Sequence, residues 1–228
     1  MNSGQKPTRG LGIAFLLQGI TSLVSGAALS GSLIVDGDIV ATMTRIANQP
    51  ALMRTNILLD VITAMGIVFL GVMLFLTLRK HGETMALVAM GLYILEAALL
   101  AVSRMGSIAL LHISQESVTA RHPAHLQTLA KLALESAHFV GSTLHMLVFC
   151  VGAILFYILL TKSTVIPRAM SLWGLVTVFP MLVGTLLLMF GAEAPIFLYV
   201  AYVPFEFVVG VWILIKGVNE KDYESIEK

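Results

Sequence analysis

Six long apolar runs constrain what this chain of 228 residues can fold into. Each run reaches the length of about 20 residues that an α-helix needs to cross a bilayer. Only 12% of the residues are charged and 57% are hydrophobic, whereas soluble domains carry about 25% charged residues. We therefore predict an all-α polytopic membrane protein with six transmembrane helices. The predicted spans are Leu11–Val35, Asn56–Leu78, Thr84–His112, Ser136–Thr161, Ala169–Phe190 and Ile196–Ile215.

Two connections between the spans keep apolar residues at helical spacing. They lie within residues 36–55 and residues 124–135, and we expect each to form a short interfacial helix on the outer side of the membrane. Pro50 is expected to end the first of them, because proline does not fit inside a helix. The segment ISQESVTARHP, residues 113–123, is predicted to be a loop.

The distribution of Lys and Arg predicts the orientation, because cytoplasmic connections carry an excess of these residues. Nine Lys and Arg residues lie on the side of the two chain ends: Lys6, Arg9, Arg79, Lys80, Lys162, Arg168, Lys216, Lys221 and Lys228. Four lie on the other side: Arg45, Arg54, Arg121 and Lys131. We predict a cytoplasmic arm at 1–9, a transmembrane domain at 10–217 and a cytoplasmic tail at 218–228. The first run exceeds the about 7–15 residues of a signal-peptide core, so we expect it to stay uncleaved.

A polar stripe enters the fourth span. Glu135, His138, Ser142 and His145 follow one another at spacings of three, four and three residues. At 100° per residue, such spacings place all four side chains on one face of an α-helix. Polar residues on an otherwise apolar transmembrane helix indicate a functional site.

Further ionisable side chains lie inside the predicted spans. At a rise of 1.5 Å per residue, Glu96, His145 and Glu206 come near the bilayer midplane, and Asp60 and Arg104 lie closer to the outer surface. A carboxylate exposed to lipid at the bilayer centre costs about 2.5–3.5 kcal/mol, so these groups must face one another or a wet cavity. We predict an outward-opening polar pocket bounded by spans two, three, four and six. The residues expected to line it are Asp60, Glu96, Arg104, His138, His145 and Glu206.

Three functions fit such a pocket. It could bind a small polar or cationic ligand or relay protons, as carboxylates and histidines near the midplane do in transporters. It could be a structural polar core, in which Arg104 pairs with Glu96, Asp60 or Glu206 and the other acids are protonated. It could be the site of a metal-dependent, hydrolase-like membrane enzyme. Ligand binding or proton relay is our working hypothesis, and whether the chain is an enzyme is left open.

The metal hypothesis depends on histidines at the outer end of the bundle. The five are His112, His122, His125, His138 and His145. Their spacing does not form the zinc motif in which two histidines lie four residues apart on a helix with a glutamate between them. No metal or cofactor is assigned. Cys150 is the only cysteine, which excludes an intrachain disulfide.

The expected partners follow from the same composition. They are the lipid bilayer and a small polar or cationic ligand, with a homo-oligomer left open. A net charge of +1 without a basic patch argues against nucleic acid.

Four stretches resemble a known family. They are NILLDVITAMGIVFLG, GLYILEAALL, VIPRAMSLWGL and PFEFVVGVWILIKGV, and their order is similar to that in the bacterial six-span family catalogued as domain of unknown function 4386. The resemblance covers roughly residues 10–218 and implies an all-helical inner-membrane protein with no established activity. The family's motif positions fall on Asp60, Glu96, His145, Pro167, Arg168, Glu206 and Gly217.

Overall fold

All of the regular structure is helical in this computed structural model, which describes residues 6–120 and 123–218. Six helical stretches are long and apolar enough to cross a membrane, and this confirms the predicted fold class. The six stretches are Arg9–Leu33, Pro50–His81, Glu83–Thr119, Ala124–Lys162, Arg168–Met189 and Phe197–Lys216. The residues outside the description include most of the predicted arm, nearly all of the predicted tail, Arg121 and His122.

Ten α-helices make up these stretches and their connections within the described residues. They are α1 (Lys6–Leu23), α2 (Gly31–Leu33), α3 (Ile39–Asn48), α4 (Pro50–Leu78), α5 (Glu83–Thr119), α6 (Ala124–His138), α7 (His145–Lys162), α8 (Arg168–Met189), α9 (Phe197–Val200) and α10 (Val203–Lys216). Two π-helical segments each join one α-helix to the next without a break in the helical chain. The first π segment, Val24–Ser30, joins α1 to α2, and the second, Phe139–Leu144, joins α6 to α7.

The helices on the side away from the described chain ends are longer than the sequence predicts. The expected loop at 113–123 is wrong, because α5 continues to Thr119. Ser114 and Ser117 are fully buried there, and the Ser114 hydroxyl donates to the Leu110 carbonyl at 2.6 Å. The second interfacial helix is present as α6, which continues through the second π segment into α7.

The first interfacial helix is present as α3. Asp38 caps it by accepting a hydrogen bond from the Ala41 backbone N–H at 2.9 Å. Pro50 is the first residue of α4. Proline is tolerated there because the N–H groups of the first helical turn have no acceptor within the helix. The second span therefore begins six residues before the predicted Asn56.

The bundle packs around α4 and α5. Helix α4 contacts α5 and α1, α7 contacts α5 and α8, and α10 contacts α1. Small residues allow these close approaches, because a transmembrane helix pair is held by van der Waals packing. A side-chain carbon added at Gly71 or at Gly152 would lie 3.0 Å from Tyr93, which is buried between them.

The sixth span is broken near its start. Helix α9 ends at Val200, and Ala201 and Tyr202 form a turn before α10 begins at Val203. Pro204 occupies the first turn of α10, where proline is tolerated, and Glu206 lies in the same turn. The break therefore places an acidic side chain at a helix N-terminus inside the bundle.

We expect Gly12→Ala to lower stability by about 1–3 kcal/mol, the usual cost of overpacking a tight interface. The added methyl group would lie 2.8 Å from the Gly210 carbonyl oxygen, so α1 and α10 would have to separate. Thermal unfolding in detergent measures the change. The control is Gly91→Ala, which meets nothing within 4 Å and should leave stability unchanged or raise it. Equal effects of the two substitutions would show that α1 and α10 do not pack as described.

Candidate functional site

A cavity of about 420 Å³ lies in the half of the bundle away from the described chain ends. Five of the six residues predicted to line a pocket contribute to it, namely Asp60, Glu96, Arg104, His145 and Glu206. The sixth, His138, is exposed and lines a neighbouring recess of about 250 Å³. Arg104 and Ser142 line both spaces. The structure thus brings the predicted residues together, and their binding of a ligand stays a prediction.

The first span reaches the cavity, which the sequence reasoning did not predict. Gln18, Ser22 and Ser25 line it from α1 and the first π segment. Their spacings of four and three residues place them on one helix face, the same pattern that singled out the stripe in the fourth span. Because serine is common in transmembrane helix packing, the pattern alone did not distinguish a cavity wall from a helix contact.

An ion pair holds one side of the cavity. Arg104 Nη1 donates to Asp60 Oδ2 at 2.6 Å, and the exposed fractions of the two side chains are 15% and 10%. The other oxygen of Asp60 accepts from the Ser25 hydroxyl at 2.5 Å. Arg104 Nε and Nη2 also donate to the Ser103 hydroxyl, at 3.0 and 2.8 Å. This charge pair is therefore compensated and connects the first, second and third spans.

Asn56 extends the same network toward the first π segment. Its amide nitrogen donates to the Ser25 carbonyl and hydroxyl oxygens, each at 2.9 Å, and to the Ser30 hydroxyl at 3.2 Å. Asn56 is buried and fixes the irregular part of the first span against α4. The π segment is thus held by specific side chains.

Two acids form the other side of the cavity. Glu96 is 4% exposed, and Glu206, which is partly buried, lines the same cavity. Glu206 Oε1 accepts from the Tyr202 hydroxyl at 2.9 Å, and the hydroxyls of Tyr202 and Tyr157 are 2.5 Å apart. Among the described residues, no Lys, Arg or His side chain forms an ion pair with either acid. This side of the cavity therefore lacks a compensating charge.

Several buried polar atoms in the cavity wall lack a hydrogen-bond partner. They are Gln18 Nε2, Glu96 Oε2, His145 Nδ1 and the Tyr199 hydroxyl, from the first, third, fourth and sixth spans. Buried polar atoms in proteins are nearly always hydrogen-bonded, to protein or to something bound. The four residues that carry these atoms all line the same cavity.

Irregular helix geometry occurs at the level of the cavity in three spans. Both π segments contribute to the wall, through Ser25 and Gly26 in the first and Gly141 and Ser142 in the second, and Tyr202 lies in the break of the sixth span. π-helical turns are rare and are frequent at functional sites. In a membrane, such backbone is tolerated where it is buried in protein or lines a cavity.

The second π segment changes the predicted polar stripe. Ser142 and His145 face the cavity, but Glu135 is exposed and lies 3.8 Å from Lys131. A π-helical residue turns through a smaller angle than an α-helical one, so a face extrapolated from Glu135 at 100° per residue does not continue beyond Phe139. Of the four residues in the stripe, Ser142 and His145 therefore line the cavity, and Glu135 and His138, which precede the π segment, do not.

The geometry does not assemble a metal centre within the described residues. No three side chains of His, Cys, Asp or Glu there are close enough together to hold one ion. His138 and His145 line different spaces, and His125 lies on the exposed face of α6. His122 lies outside the described residues. The arrangement offers instead a charge pair, two acids and several neutral hydrogen-bonding groups.

The sequence comparison identifies the family. A family model described as a domain of unknown function (DUF4386) matches residues 11–217. The chain belongs to this family. The match confirms the resemblance carried by the four quoted stretches, and the family's description assigns it no activity. Comparison with curated proteins and with solved structures gave no match.

Removing one partner of the Asp60–Arg104 pair should destabilise this DUF4386 protein by about 3–5 kcal/mol, because the other charge is left buried and alone. The single variants Asp60→Asn and Arg104→Gln and the double variant should be compared by unfolding in bicelles. The double variant should cost less than the sum of the two single variants.

The exposed Lys131–Glu135 pair provides the matched control. Its side chains are 68% and 63% exposed, and exposed pairs contribute about 0–1 kcal/mol. Additive effects at Asp60 and Arg104, as small as those at Lys131 and Glu135, would contradict the described ion pair.

Proposed function

We propose that this family member binds a small polar or cationic ligand, or relays protons, at Glu96 and Glu206 in the intramembrane cavity. The observation that carries the proposal is the buried Glu96 carboxyl group, which has one oxygen without a partner and shares its cavity with a second acid, Glu206.

The electrostatics of the cavity favour a positive charge. Two ionised carboxylates in one low-dielectric site repel, and burial penalises each of them further. A proton or a bound cation removes both penalties. The Asp60–Arg104 pair is already neutral as a whole, so Arg104 is not free to compensate the acids.

The size and chemistry of the cavity fit a small molecule. Ligand sites in proteins occupy about 300–1,000 Å³ and combine apolar walls with a few polar groups, and this cavity of about 420 Å³ does the same. His145 and Tyr199 would orient the ligand beside the acids, while Phe149 and Met181 provide apolar contact. A purely structural core would instead pair these polar groups with one another.

The membrane and the orientation are part of the proposal. We propose the bacterial inner membrane, with both chain ends in the cytoplasm and the cavity open to the outer side. The support is the excess of Lys and Arg on the side of the chain ends.

The main test compares Glu96→Gln and Glu206→Gln with the wild type. Ammonium, tetramethylammonium, Na⁺ and K⁺ would be titrated against the purified protein in detergent while thermal unfolding is followed. A cation at 100 times its Kd should add about 2.7 kcal/mol of stability, and either substitution should remove most of that gain. Vesicles containing the protein and an internal pH dye would report proton passage, which the same substitutions should abolish.

The controls are Glu83→Gln and Glu193→Gln. Both remove an exposed carboxylate and should leave the cation response and the proton flux unchanged. Absence of both responses in the wild type, or their persistence in both cavity variants, would refute the proposed function.

The orientation has a separate test. A green fluorescent protein fused after Lys228 should fluoresce, and alkaline phosphatase fused there should be inactive, because both respond to the side of the membrane that they reach. The reverse result would place the chain ends and the Lys- and Arg-rich side outside.

A further inference from the structure

A second recess lies at the opposite end of the bundle from the acidic cavity. It has a volume of about 590 Å³ and forms where the connection between α7 and α8 meets the end of α10. Arg168 and Lys216 line it from two different helices, and Trp212 lies beside them. Pro167-Arg168 and Lys216-Gly217, two of the segments that carry the family resemblance, are far apart in sequence and meet here.

Buried side chains fix the frame of this recess. Val165, Ile166 and Val218 are 0%, 3% and 6% exposed and pack into the main core of the bundle. The Ser171 hydroxyl donates to the Leu160 carbonyl at 3.3 Å and so connects α8 to α7. The recess is therefore held in shape by the core, although its charged side chains are exposed.

The charge of the recess is positive and uncompensated within the described residues. Arg168 and Lys216 are exposed, and no described Asp or Glu side chain lies within 4.0 Å of either. Arginine and lysine are the residue types that proteins use to bind phosphate groups, and here one of each lines the same recess from a different helix.

Apolar residues flank the two basic side chains. Leu172 follows Arg168 by one helical turn and is 44% exposed, and Trp212 precedes Lys216 by one helical turn and lines the recess. Trp212 is of the residue type that is enriched where the lipid head groups meet the hydrocarbon core. A ligand at this position would thus meet positive charge at the end of the bundle and apolar surface along its side.

We propose that this recess is a binding site for a phosphate-bearing anion, with the head group of an anionic phospholipid as its occupant. The phosphate lies between Arg168 and Lys216, and the acyl chains lie along Leu172 and Trp212. The site is independent of the acidic cavity, because no residue lines both.

The test measures binding of a tail-labelled phosphatidylglycerol to the purified full-length protein in an uncharged detergent. Unlabelled phosphatidylglycerol, phosphatidylcholine and inorganic phosphate would compete separately. The double variant Arg168→Gln with Lys216→Gln should bind the probe about 25-fold more weakly, since each Lys or Arg near an anionic surface contributes about five-fold. The charge-preserving variant Arg168→Lys with Lys216→Arg should retain most of the binding.

The matched control removes another basic pair at the same end of the bundle, Arg79→Gln with Lys80→Gln, and should weaken binding less than three-fold. Competition by phosphatidylglycerol alone would support the lipid head group. Equal competition by inorganic phosphate, lost in the Arg168 and Lys216 variant, would support the anion site and make a free phosphate compound its occupant. Equal competition by phosphatidylcholine, or equal weakening in the control pair, would overturn the proposal.

Discussion

The absence of water from the hydrocarbon core is the constraint on which this structure depends. Every charge placed there must be compensated by the protein or by something bound. The Asp60–Arg104 pair, at 2.6 Å, meets this requirement within the chain, and Ser25 and Ser103 provide further hydrogen bonds to the two side chains. Since the pair joins three spans, it also fixes how those spans rotate about their axes. The positions of the other cavity residues follow from that rotation.

The same constraint explains where irregular backbone occurs. A π segment or a helix break frees backbone groups that lipid cannot satisfy. In this protein both π segments and the break before α10 face the cavity, where side chains such as Asn56 can bond to the freed groups. Gly141 shows how tightly the second π segment packs, since a side-chain carbon there would lie 2.5 Å from Arg104 Nη2. The irregular turns therefore serve to bring small and polar residues close to the ion pair.

The spans could be predicted because their length and composition are local properties of the sequence. Five cavity residues could also be predicted, since an ionisable group inside a span must face other polar groups or a cavity and not lipid. The partner of Arg104 could not, because Glu96, Asp60 and Glu206 were all within reach and only the packing of α4 on α5 selects Asp60. His138 lines a neighbouring recess for a related reason, since a π segment that residue periodicity does not reveal separates it from His145.

The two sides of the cavity differ in whether their charged groups are compensated by the protein itself. The Asp60–Arg104 side is complete without a ligand, so its residues are sufficiently explained by stability. The Glu96 and Glu206 side is incomplete, because neither acid has a cationic partner among the described residues and Glu96 Oε2 has no hydrogen bond. Stability alone would favour apolar residues at these two positions, since buried polar groups without partners are costly. This difference is the basis of our proposal that a proton or a small cationic molecule occupies that side, because the neighbouring ion pair keeps Arg104 from compensating the two acids.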